Sequence, residues 1–465
     1  MYGLTLADCA SIMKGQLSGS GDRVPQGASI DSRTLVPGDL FFALRGEKTD
    51  GRRYLREAQA RGAAGAVVEG RPPESAPDDF PVILTGDAAE GLRALALAQR
   101  RLFRGHVAAI TGSTGKTTTK EILSAIFEEM GPVLKTQGNF NNLLGLPLTV
   151  LSLNESHRSM VLEMGMSGLG EIDRLASIAR PDSGVVTNIG HVHIEKLGSR
   201  ENIARAKCEL FAHLSPEGTL ILNESDLKWT RSWLHLAACA VTLAGRTETG
   251  SDFWVSCPGK QDRNGLRYCF YMGRQRVLEG RLPMPGRHNG LNALMASLAA
   301  RGAGMSWTEI GRGLARIRPA GMRFEFMDCP GWGATLIHDA YNANPDSMAA
   351  ALKTLKEVGE GRLGAVLGDM NELGAYASQA HLETGRLAGR LGLDFLVTVG
   401  GLAKGIADGA MEAGMPESRV LTAEDNGEAL RRLRKLARPG DWILFKGSRT
   451  VHMEDIITAM RSEEG

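Results

Sequence analysis

The feature that most constrains this chain is a glycine-containing loop that connects a short apolar strand to a helix. The strand is expected over residues 107–111, and the loop at residues 112–118 reads Gly-Ser-Thr-Gly-Lys-Thr-Thr. A helix is expected over residues 117–130, because its apolar residues recur at helical spacing on one face: Ile122, Leu123, Ile126 and Phe127. A strand, a loop and a helix in this order direct backbone N–H groups toward one point, which predicts an anion-binding site.

Length and composition limit the remaining possibilities. A chain of 465 residues is too long for one hydrophobic core, so two to four domains are expected. Its 54 basic and 53 acidic residues nearly cancel, which argues against nucleic acid and an anionic membrane surface as partners. The six cysteines include no Cys-x-x-Cys pair, and no apolar run approaches the roughly 18 residues of a membrane helix. Residues 1–10 lack a signal-peptide pattern, so we expect a cytoplasmic protein.

Strands that alternate with helices predict an α/β protein with parallel sheets. Three domains are expected: a small α/β domain at residues 1–84, a central doubly wound sheet with the glycine loop at 85–318, and a C-terminal Rossmann-like domain at 319–465. An exposed loop is expected over residues 71–79, and a cleft between the second and third domains near Pro319. The expected strands are 40–44, 107–111, 160–163, 184–188, 219–223, 335–338, 363–367, 395–399 and 442–445.

The residues of the glycine loop indicate which anion it binds. Lys116 is placed to reach the outer phosphates of a nucleotide, and the Thr117 hydroxyl is placed to hold Mg²⁺. The spacing is shorter than in the usual phosphate loop, because Ile110 stands where the first glycine of that loop would be. The alternative is a simple turn with a solvated lysine, which the preceding strand and the Lys-Thr pair disfavour. The loop therefore predicts ATP and Mg²⁺ but not the reaction that uses them.

Together with Thr111, the loop resembles the short T-G-x-x-G-K-T-T signature of the Mur ligase family, the ATP-dependent amide ligases of peptidoglycan synthesis. Residues 367–374, Leu-Gly-Asp-Met-Asn-Glu-Leu-Gly, and the paired asparagines after Gly138 resemble the family member that adds a dipeptide. The Asp-Asn-Pro-Arg motif of the diamino-acid-adding member does not occur. Other matches follow in order along nearly the whole chain, at residues 31–33, 37–39, 138–142, 163–165, 187–189, 193–195, 206–209, 285–289, 322–325, 339–345 and 446–449.

The resemblance implies an ATP-dependent ligase that joins D-alanyl-D-alanine to UDP-N-acetylmuramoyl-tripeptide through an acyl phosphate. It implies that the first domain binds the UDP-linked substrate, the central domain ATP, and the third domain the incoming dipeptide. A monomer is expected, with a role in cell-wall synthesis and through it in cell shape and division. Two alternatives remain open: another family member, of the diamino-acid-adding or folylpolyglutamate type, and a phosphate-loop ATPase that is not a ligase.

The resemblance also implies a set of catalytic and metal-binding residues. Lys116 contacts the phosphates, while Thr117, Glu163, His193 and Lys207 bind Mg²⁺, the last of them as a carbamate. An ordinary lysine has a pKa near 10.4, so only about 1 amine in 2,500 is neutral at pH 7, and a carbamate requires a lowered pKa or trapping by the metal. Histidine is an unusual ligand for Mg²⁺, which prefers oxygen. Without the family, Glu163 is a solvated strand end, His193 a loop histidine and Lys207 an exposed lysine on a helix over residues 200–213.

Further contacts on both sides of the cleft follow from the same resemblance. The nucleotide-binding set is Gly112, Ser113, Thr114, Gly115, Lys116, Thr117, Thr118, His288, Asn289, Arg323 and Asp339, where Arg323 takes phosphate, Asp339 ribose, and His288 with Asn289 adenine. The substrate-binding set is Ser32 and Arg33 for the uridine nucleotide, Asn139 and Asn142 for the sugar-peptide, and Lys446, Ser448 and Arg449 for the dipeptide. Without the family, Asn289 is an N-cap, residues 446–449 are a strand-end turn, and His191 lies outside the pattern.

Overall fold

Three sheets with helices packed on them make up the protein, which confirms the expected α/β class. The computed structural model describes residues 1, 3–46, 49–70, 79–318 and 321–462. The domain limits at residues 84 and 318 stay a prediction, and Pro319 and residues 71–78 of the expected exposed loop lie outside the described residues. Within the described part of the chain, no helix has the length and apolar character that crossing a membrane requires.

The first sheet has five strands and is packed on both faces. Its strands are β1 (Gln16–Ser18), β2 (Ala28–Ser29), β3 (Leu40–Ala43), β4 (Gly65–Glu69) and β5 (Val82–Thr85). Their order is β1-β5-β4-β3-β2, and only β1 is antiparallel to its neighbour. The accompanying helices are α1 (Leu6–Ile12), α2 (Leu55–Ala60) and α3 (Ala88–Leu102). Strand β3 is entirely buried, because alternate side chains enter one core shared with α3 and another shared with α2.

The central sheet has nine strands and carries the glycine loop. They are β6 (His106–Thr111), β7 (Val133–Lys135), β8 (Ser159–Glu163), β9 (Ser183–Val186), β10 (Thr219–Asn223), β11 (Ala240–Gly245), β12 (Phe253–Ser256), β13 (Leu266–Met272) and β14 (Gln275–Leu282). The order is β14-β13-β12-β11-β10-β9-β6-β8-β7, with parallel pairing from β7 to β12 and antiparallel pairing from β12 to β14. The four expected central strands are confirmed, whereas the antiparallel hairpin extension was not anticipated from the sequence.

Eight helices accompany the strands of the central sheet in the described residues. They are α4 (Lys116–Phe127), α5 (Gly145–Leu151), α6 (Glu171–Ala179), α7 (Ile194–Leu197), α8 (Arg200–Cys208), α9 (Leu227–Thr230), α10 (Arg287–Gly302) and α11 (Trp307–Ala315). The helix expected after the glycine loop is α4, and its four expected apolar residues are all buried. The helix expected over residues 200–213 is too long: α8 ends at Cys208, and a 3₁₀ turn continues over Glu209–His213.

The third sheet has six strands, and only its first strand is antiparallel. The strands are β15 (Glu325–Cys329), β16 (Ala334–His338), β17 (Leu363–Gly368), β18 (Phe395–Val399), β19 (Val420–Ala423) and β20 (Trp442–Lys446), in the order β15-β16-β20-β17-β18-β19. The helices are α12 (Pro345–Val358), α13 (Ala377–Arg390), α14 (Lys404–Glu412), α15 (Asn426–Leu436) and α16 (Glu454–Ser462). All four strands expected in this region are confirmed.

Parallel pairing brings the functional segments to the carboxyl edges of two sheets. In the central sheet, Ile110 on β6 pairs with Glu163 on β8, and Thr111 pairs with Val186 on β9. In the third sheet, His338 on β16 pairs with Phe445 on β20, so the next residues of both strands are neighbours. Ligands in α/β proteins bind outside the carboxyl ends of the strands, and here those ends border one cleft.

Candidate active site

Two glycines shape the loop between β6 and α4. Gly112 has a φ of 148°, and a Cβ atom there would lie 1.8 Å from Oγ1 of Thr187. Gly115 has a φ of 78° and occupies the N-cap position of α4. Only glycine adopts these conformations without strain, and no side chain fits beside Thr187. The loop therefore follows the floor of the cleft with its backbone exposed to a ligand.

The glycine loop is held from behind by the segment that follows β9. The backbone N–H groups of Ser113 and Thr114 donate to Oδ1 of Asn188 over 3.0 and 2.8 Å, and Thr187 Oγ1 donates to the Thr114 carbonyl over 2.6 Å. No acceptor among the described residues takes the N–H groups of residues 115–118. The amides open to a phosphate are therefore those at the start of α4, while those of Ser113 and Thr114 serve to shape the loop.

Lys116 lies over the loop, where a phosphate would be held. Its Nζ donates to the Gly112 carbonyl over 2.8 Å, and the side chain lines the cleft. Burial lowers the pKa of Lys116, while the nearby carboxylate of Glu163 acts in the opposite direction and Arg323 adds to the lowering. A partly desolvated ammonium interacts more strongly with phosphate oxygens than a solvated one does. The alternative of a solvated lysine at a simple turn is therefore wrong.

Glu163 ends β8 with its carboxylate directed at the start of α4. It is 3% exposed, so the alternative of a solvated strand-end glutamate is wrong. Oε2 accepts a hydrogen bond of 2.9 Å from Thr117 Oγ1, and Oε1 accepts one of 2.8 Å from Asn141 Nδ2. The amide of Asn141 thus fixes the orientation of the carboxylate relative to the loop.

Thr117 and Glu163 fit the donor set of a magnesium site. Their oxygens lie 2.9 Å apart, close to the separation of roughly 3 Å between adjacent ligands in an octahedron with bonds of about 2.1 Å. The described residues contain no cluster of three or more His, Cys, Asp or Glu side chains that could hold a metal ion. Mg²⁺ is commonly bound through one or two protein oxygens together with phosphates and water, and this pair matches that arrangement.

His193 contacts a residue of the third region across the cleft. It is half-buried, precedes α7 and has a φ of 64°. Its Nδ1 lies 2.6 Å from Oε2 of Glu372, a distance typical of a hydrogen bond although the alignment is not. The contact with His193 is the main cause that lowers the pKa of Glu372. The structure therefore pairs His193 with a carboxylate of the third sheet.

Lys207 is buried in the central region on α8. Its side chain is 2% exposed, so the alternative of an exposed helical lysine is wrong. Burial, and secondarily the positive charge of Lys116, lowers the pKa of Lys207 far below its ordinary value. The residue does not line the cleft itself but is close enough to Lys116 to sense its charge. A buried lysine with a lowered pKa is neutral more often and hence more reactive toward electrophiles.

Arg323 reaches from the third region to the glycine loop. Its Nη2 donates to Thr117 Oγ1 over 2.9 Å, and its guanidinium lies 4.3 Å from the centre of the Tyr341 ring. Stacking on an aromatic ring restrains the guanidinium without using its N–H groups. Arg323 is therefore held where a cation would meet the outer phosphates of a nucleotide on the loop.

Asp339 follows β16, Lys446 ends the adjacent strand β20, and the two side chains form an ion pair. Lys446 Nζ lies 2.8 Å from Oδ2 of Asp339 and donates to the Asn342 carbonyl over 3.0 Å. Both side chains line the cleft beside the nucleotide-binding groups. The structure thus joins two residues that the sequence assigned to different ligands.

His288 and Asn289 begin α10 on the opposite side of the cleft. The N-cap is Gly286, so Asn289 lies inside the first turn, and its expected N-cap role is wrong. Asn289 Nδ2 instead donates to the Pro285 carbonyl over 2.6 Å, and Asn292 donates to Asn289 Oδ1 over 3.2 Å. Burial lowers the pKa of His288 to about 4, with Arg246 and Lys446 adding to the effect. At neutral pH the imidazole is therefore uncharged.

These groups line one cavity of about 800 Å³ between the central and third sheets. Residues 113–118, Glu163 and His193 line it from the central side, and Arg323 and Asp339 line it from the third region. Its volume suits a nucleotide together with part of a second substrate. Of the predicted site residues, those that line the cavity are Ser113, Thr114, Gly115, Lys116, Thr117, Thr118, Asn142, Glu163, His193, His288, Asn289, Arg323, Asp339 and Lys446.

Several predicted substrate-binding residues lie away from this cavity. On the first sheet, Ser32 Oγ donates to Glu57 over 3.1 Å, and the exposed Arg33 pairs with Asp31 over 2.7 Å. Asn139 is exposed outside the cavity. In the third region, Ser448 accepts from the Asn371 N–H over 2.9 Å.

Arg449 pairs with Glu454 and also lies outside the cavity. On the cavity side, Asn142 lines the wall, but its Oδ1 accepts from the Leu144 and Gly145 N–H groups at the start of α5. The structure brings the nucleotide set together and leaves the substrate set on surrounding surfaces.

The sequence analysis did not single out several residues of the cleft, among them Asn141, Asn188 and Glu372. Each of these three lies inside a segment that matched the family, at residues 138–142, 187–189 and 367–374. The family match therefore pointed to the right segments of the chain. It did not show which side chain of each segment faces the cleft, because that depends on the direction in which the loop leaves its strand.

Comparison with protein families places three models along the chain. The Mur ligase catalytic domain model matches residues 26–100, the Mur ligase middle domain model matches 110–300, and the Mur ligase glutamate ligase domain model matches 322–449. The three models follow one another in the order of the three sheets. They cover both walls of the cleft.

Similar proteins of known name or structure cover the chain almost completely. The UDP-N-acetylmuramoyl-tripeptide–D-alanyl-D-alanine ligase of Bacillus subtilis is 36% identical over 463 residues, 97% of each chain. A crystal structure of MurF from Acinetobacter baumannii is 31% identical, covers 98% of both chains and superposes with a TM-score of 0.86. The MurF ligase of Thermotoga maritima, solved in complex with ADP, is 26% identical over 96% of this chain and 99% of that one, with a TM-score of 0.82. On its sequence, its three sheets and its phosphate-binding loop, this chain belongs to the Mur ligase family.

Proposed function

We propose that this chain joins D-alanyl-D-alanine to UDP-N-acetylmuramoyl-tripeptide in an ATP-dependent, ADP-forming reaction of peptidoglycan precursor synthesis. The observation that carries the proposal is the contact of Thr117 with both Glu163 and Arg323, because it joins the phosphate loop to a carboxylate and to a cation from the third region. The full-length similarity to ligases named for this reaction supports the same substrates.

The reaction needs two steps, because a carboxylate and an ammonium form a salt rather than an amide at neutral pH. In the first step, an oxygen of the tripeptide carboxylate attacks the γ-phosphorus of ATP, the bond to the bridging oxygen breaks, and ADP leaves. In the second step, the dipeptide amine attacks the acyl carbon, the bond to phosphate breaks, and the nitrogen loses a proton. Catalysis of such steps consists mainly of positioning and of neutralising charge.

The residues of the cleft divide these tasks between them. The amides of residues 115–118 and Lys116 bind the β- and γ-phosphates, and Arg323 neutralises charge that develops on the transferred group. Glu163 and Thr117 would hold Mg²⁺, which would supply positive charge to the transferred phosphoryl group when it is bound. Approach of the third region excludes water, which would otherwise hydrolyse the acyl phosphate.

The remaining nucleotide contacts fit the opposite wall of the cleft. The uncharged His288 beside Asn289 suits the adenine ring, and Asp339 suits ribose hydroxyls. Lys446 holds Asp339 at 2.8 Å, so we propose it as a positioning residue of the nucleotide site in addition to its expected dipeptide contact.

Lys207 is proposed to act as a carbamate. In this step the neutral amine attacks the carbon of CO₂, forms an N–C bond and releases a proton, which leaves an anionic carbamate. The lowered pKa of Lys207 makes the neutral amine available, and the nearby ammonium of Lys116 would stabilise the product anion. The alternative of an inert buried lysine leaves a desolvated amine close to a second positive charge.

The substrate residues extend outward from the cleft. Ser32 and Arg33 are proposed to bind the uridine nucleotide, and Asn139 and Asn142 the sugar-peptide. Ser448 and Arg449 are proposed to receive the carboxylate of the dipeptide. Except for Asn142, these residues lie outside the cavity, where the parts of the substrates that extend beyond the nucleotide site would bind. All the proposed groups come from one chain, so we propose a monomer, which uses ATP in the cytoplasm.

ADP release is the measurement that tests the proposal. With UDP-N-acetylmuramoyl-tripeptide present, D-alanyl-D-alanine should stimulate ADP release strongly, whereas D-alanine or a diamino acid should not. Equal stimulation by a single amino acid would reject the dipeptide as the acceptor. Release of ADP at the same rate with and without the two substrates would reject ligase activity altogether.

A further inference from the structure

Two loops contact each other across the cleft, and this contact has no role in the nucleotide and substrate binding proposed above. One is the loop before α7 in the central region, which carries His193, and the other is the segment Asp369–Gly374 after β17, which carries Glu372. Nδ1 of His193 and Oε2 of Glu372 lie 2.6 Å apart. Their φ angles are 64° and 62°, a left-handed conformation that is unfavourable for residues other than glycine. Such strain persists only where the surrounding structure enforces it, and it is concentrated at functional sites.

The contact between the two loops extends beyond this pair. The ring of Tyr376 lies 5.1 Å from the ring of His191, whose Nδ1 lies 3.9 Å from Asp346 Oδ2. Gly374, with a φ of 52°, packs so closely that a Cβ atom there would lie 3.1 Å from Glu195. The third region thus approaches the His193 loop over a defined face, and His191 has its place in that face.

Glu372 is fixed from behind to the third sheet. The buried His381 accepts a hydrogen bond of 2.9 Å from the Met370 N–H, and Asp369 Oδ1 accepts one of 2.7 Å from the Ala403 N–H. Ser448 accepts another of 2.9 Å from the Asn371 N–H. With the residues on its N-terminal side bound to the body of the sheet, Glu372 has little freedom to move independently, and its carboxylate moves with the third region as a whole.

We infer that Glu372 is a positioning residue for His193, which it orients only when the third region lies against the central one. A carboxylate that contacts one imidazole nitrogen keeps the proton there and leaves the other nitrogen free as an acceptor or ligand. Glu372 therefore holds Nδ1–H and leaves Nε2 of His193 available to the reaction. Because the carboxylate comes from the opposite wall, orientation of His193 is coupled to closure of the cleft. The inference rests on the proposed function and on the expectation from the family resemblance that His193 binds Mg²⁺.

The imperfect alignment of the contact fits this role. Hydrogen bonds at catalytic sites are often poorly aligned before substrates bind and tighten when they do. A small rotation of the carboxylate or ring would align the 2.6 Å contact. The contact is thus poised to form fully on closure.

Two measurements test the inference, and the first needs neither metal nor turnover. Histidine-selective ¹⁵N NMR of the full chain with a non-hydrolysable ATP analogue and without metal, at a pH where imidazoles are neutral, should show His193 protonated at Nδ1. The His193 signals are assigned through His193→Gln. In Glu372→Ala that preference should be lost. The matched control is Glu412→Gln, an exposed carboxylate at the end of α14 that pairs with Arg386 on α13 rather than with either loop. It should leave the His193 signals unchanged.

The second measurement follows Mn²⁺ by electron paramagnetic resonance in the presence of a non-hydrolysable ATP analogue. Glu372→Ala should weaken Mn²⁺ binding about 10- to 100-fold, the usual effect of removing a residue that orients a metal ligand. Glu372→Gln should be intermediate, and Glu372→Ala should add little when His193 is already Gln. In turnover, kcat should fall while KM for ATP changes less than about twofold.

Unchanged His193 signals in Glu372→Ala, or equal Mn²⁺ affinities in that variant and the wild type, would overturn the inference. Equal losses in Glu372→Ala and Glu412→Gln would do the same, because they would indicate a general disturbance of the third region. Failure of the proposed function appears differently: the wild type then releases no ADP with D-alanyl-D-alanine, while the NMR signals still report on the Glu372–His193 pair.

Discussion

The hydroxyl of Thr117 donates a 2.9 Å hydrogen bond to Oε2 of Glu163, which joins the first turn of α4 to the end of β8. The two oxygens occupy adjacent places in a magnesium shell on the proposed mechanism. Replacement Glu163→Gln keeps the size of the side chain but removes its charge. We expect kcat to fall at least about 100-fold, because the metal then lacks an anionic ligand.

The measurement is ADP release at several Mg²⁺ concentrations. Thr117→Ser, which keeps the hydroxyl, should retain most activity, whereas Thr117→Val should not. Near-normal activity of Glu163→Gln at low Mg²⁺ would contradict the assignment.

Replacement Lys116→Ala should abolish turnover. The Lys116 ammonium is the basic group within the loop itself, and it is held over the loop by the Gly112 carbonyl. Removing it leaves the γ-phosphoryl charge unbalanced in a partly desolvated site. The variant should fold normally by circular dichroism and release ADP at the background rate. Appreciable residual turnover would show that another group performs this role.

Replacement Lys207→Ala should nearly abolish activity and should be partly rescued by acetate or propionate. A small carboxylate can occupy the space of the truncated side chain and supply the anion that the carbamate provides. The exposed Lys228, which packs on Trp229, offers a control, since Lys228→Ala should be active and insensitive to acetate. Wild-type activity should also fall when CO₂ is rigorously removed. If Lys207→Ala is inactive at every acetate concentration while CO₂ removal has no effect, the carbamate is wrong.

Replacement Asn141→Asp should reduce kcat about 10- to 100-fold through Glu163. The amide now donates 2.8 Å to Glu163 Oε1, and a carboxylate in its place would repel that oxygen. Asn141→Ala should cost less, because it removes the contact without adding charge. The exposed Gln137, four residues earlier, serves as the control, and Gln137→Ala should behave as the wild type. Similar kcat values for the Asp and Ala variants would argue against an electrostatic role.

The pH dependence of stability should report on His288, whose pKa burial lowers to about 4. An unfolded histidine has a pKa near 6.5, so between about pH 6.5 and pH 4 the unfolded chain binds a proton that the folded chain does not. The contribution of His288 to the free energy of unfolding is fully present above pH 6.5 and decreases as the pH is lowered. The ring is partly exposed, so we expect a loss of about 1–2 kcal/mol by pH 4.5.

Urea unfolding at pH 7.5 and pH 4.5 measures this effect. His288→Gln should lose less stability than the wild type on acidification, and the exposed His235→Gln should match the wild type. Identical losses in the wild type and His288→Gln would contradict the lowered pKa.

The sequence by itself determined the features that depend on residues close to one another along the chain. The strand, glycine loop and helix around Lys116 could be predicted because backbone conformation there depends on Gly112, Gly115 and the apolar face of α4. The ordered motifs identified the family for the same reason, since each motif is contiguous. The antiparallel extension from β12 to β14 was not predicted, although the two residues Gly273 and Arg274 between β13 and β14 are a hairpin signal.

Only the tertiary structure decided which side chains meet. Thr117 and Glu163 are 46 residues apart and His193 and Glu372 are 179 apart, so their contacts depend on strand order and on the approach of two sheets. Burial of Lys207 depends in the same way on what packs over α8, and its lowered pKa follows from that burial. Local propensity acts over a few residues, whereas these distances and desolvation costs are set by packing between distant segments, which a motif does not encode.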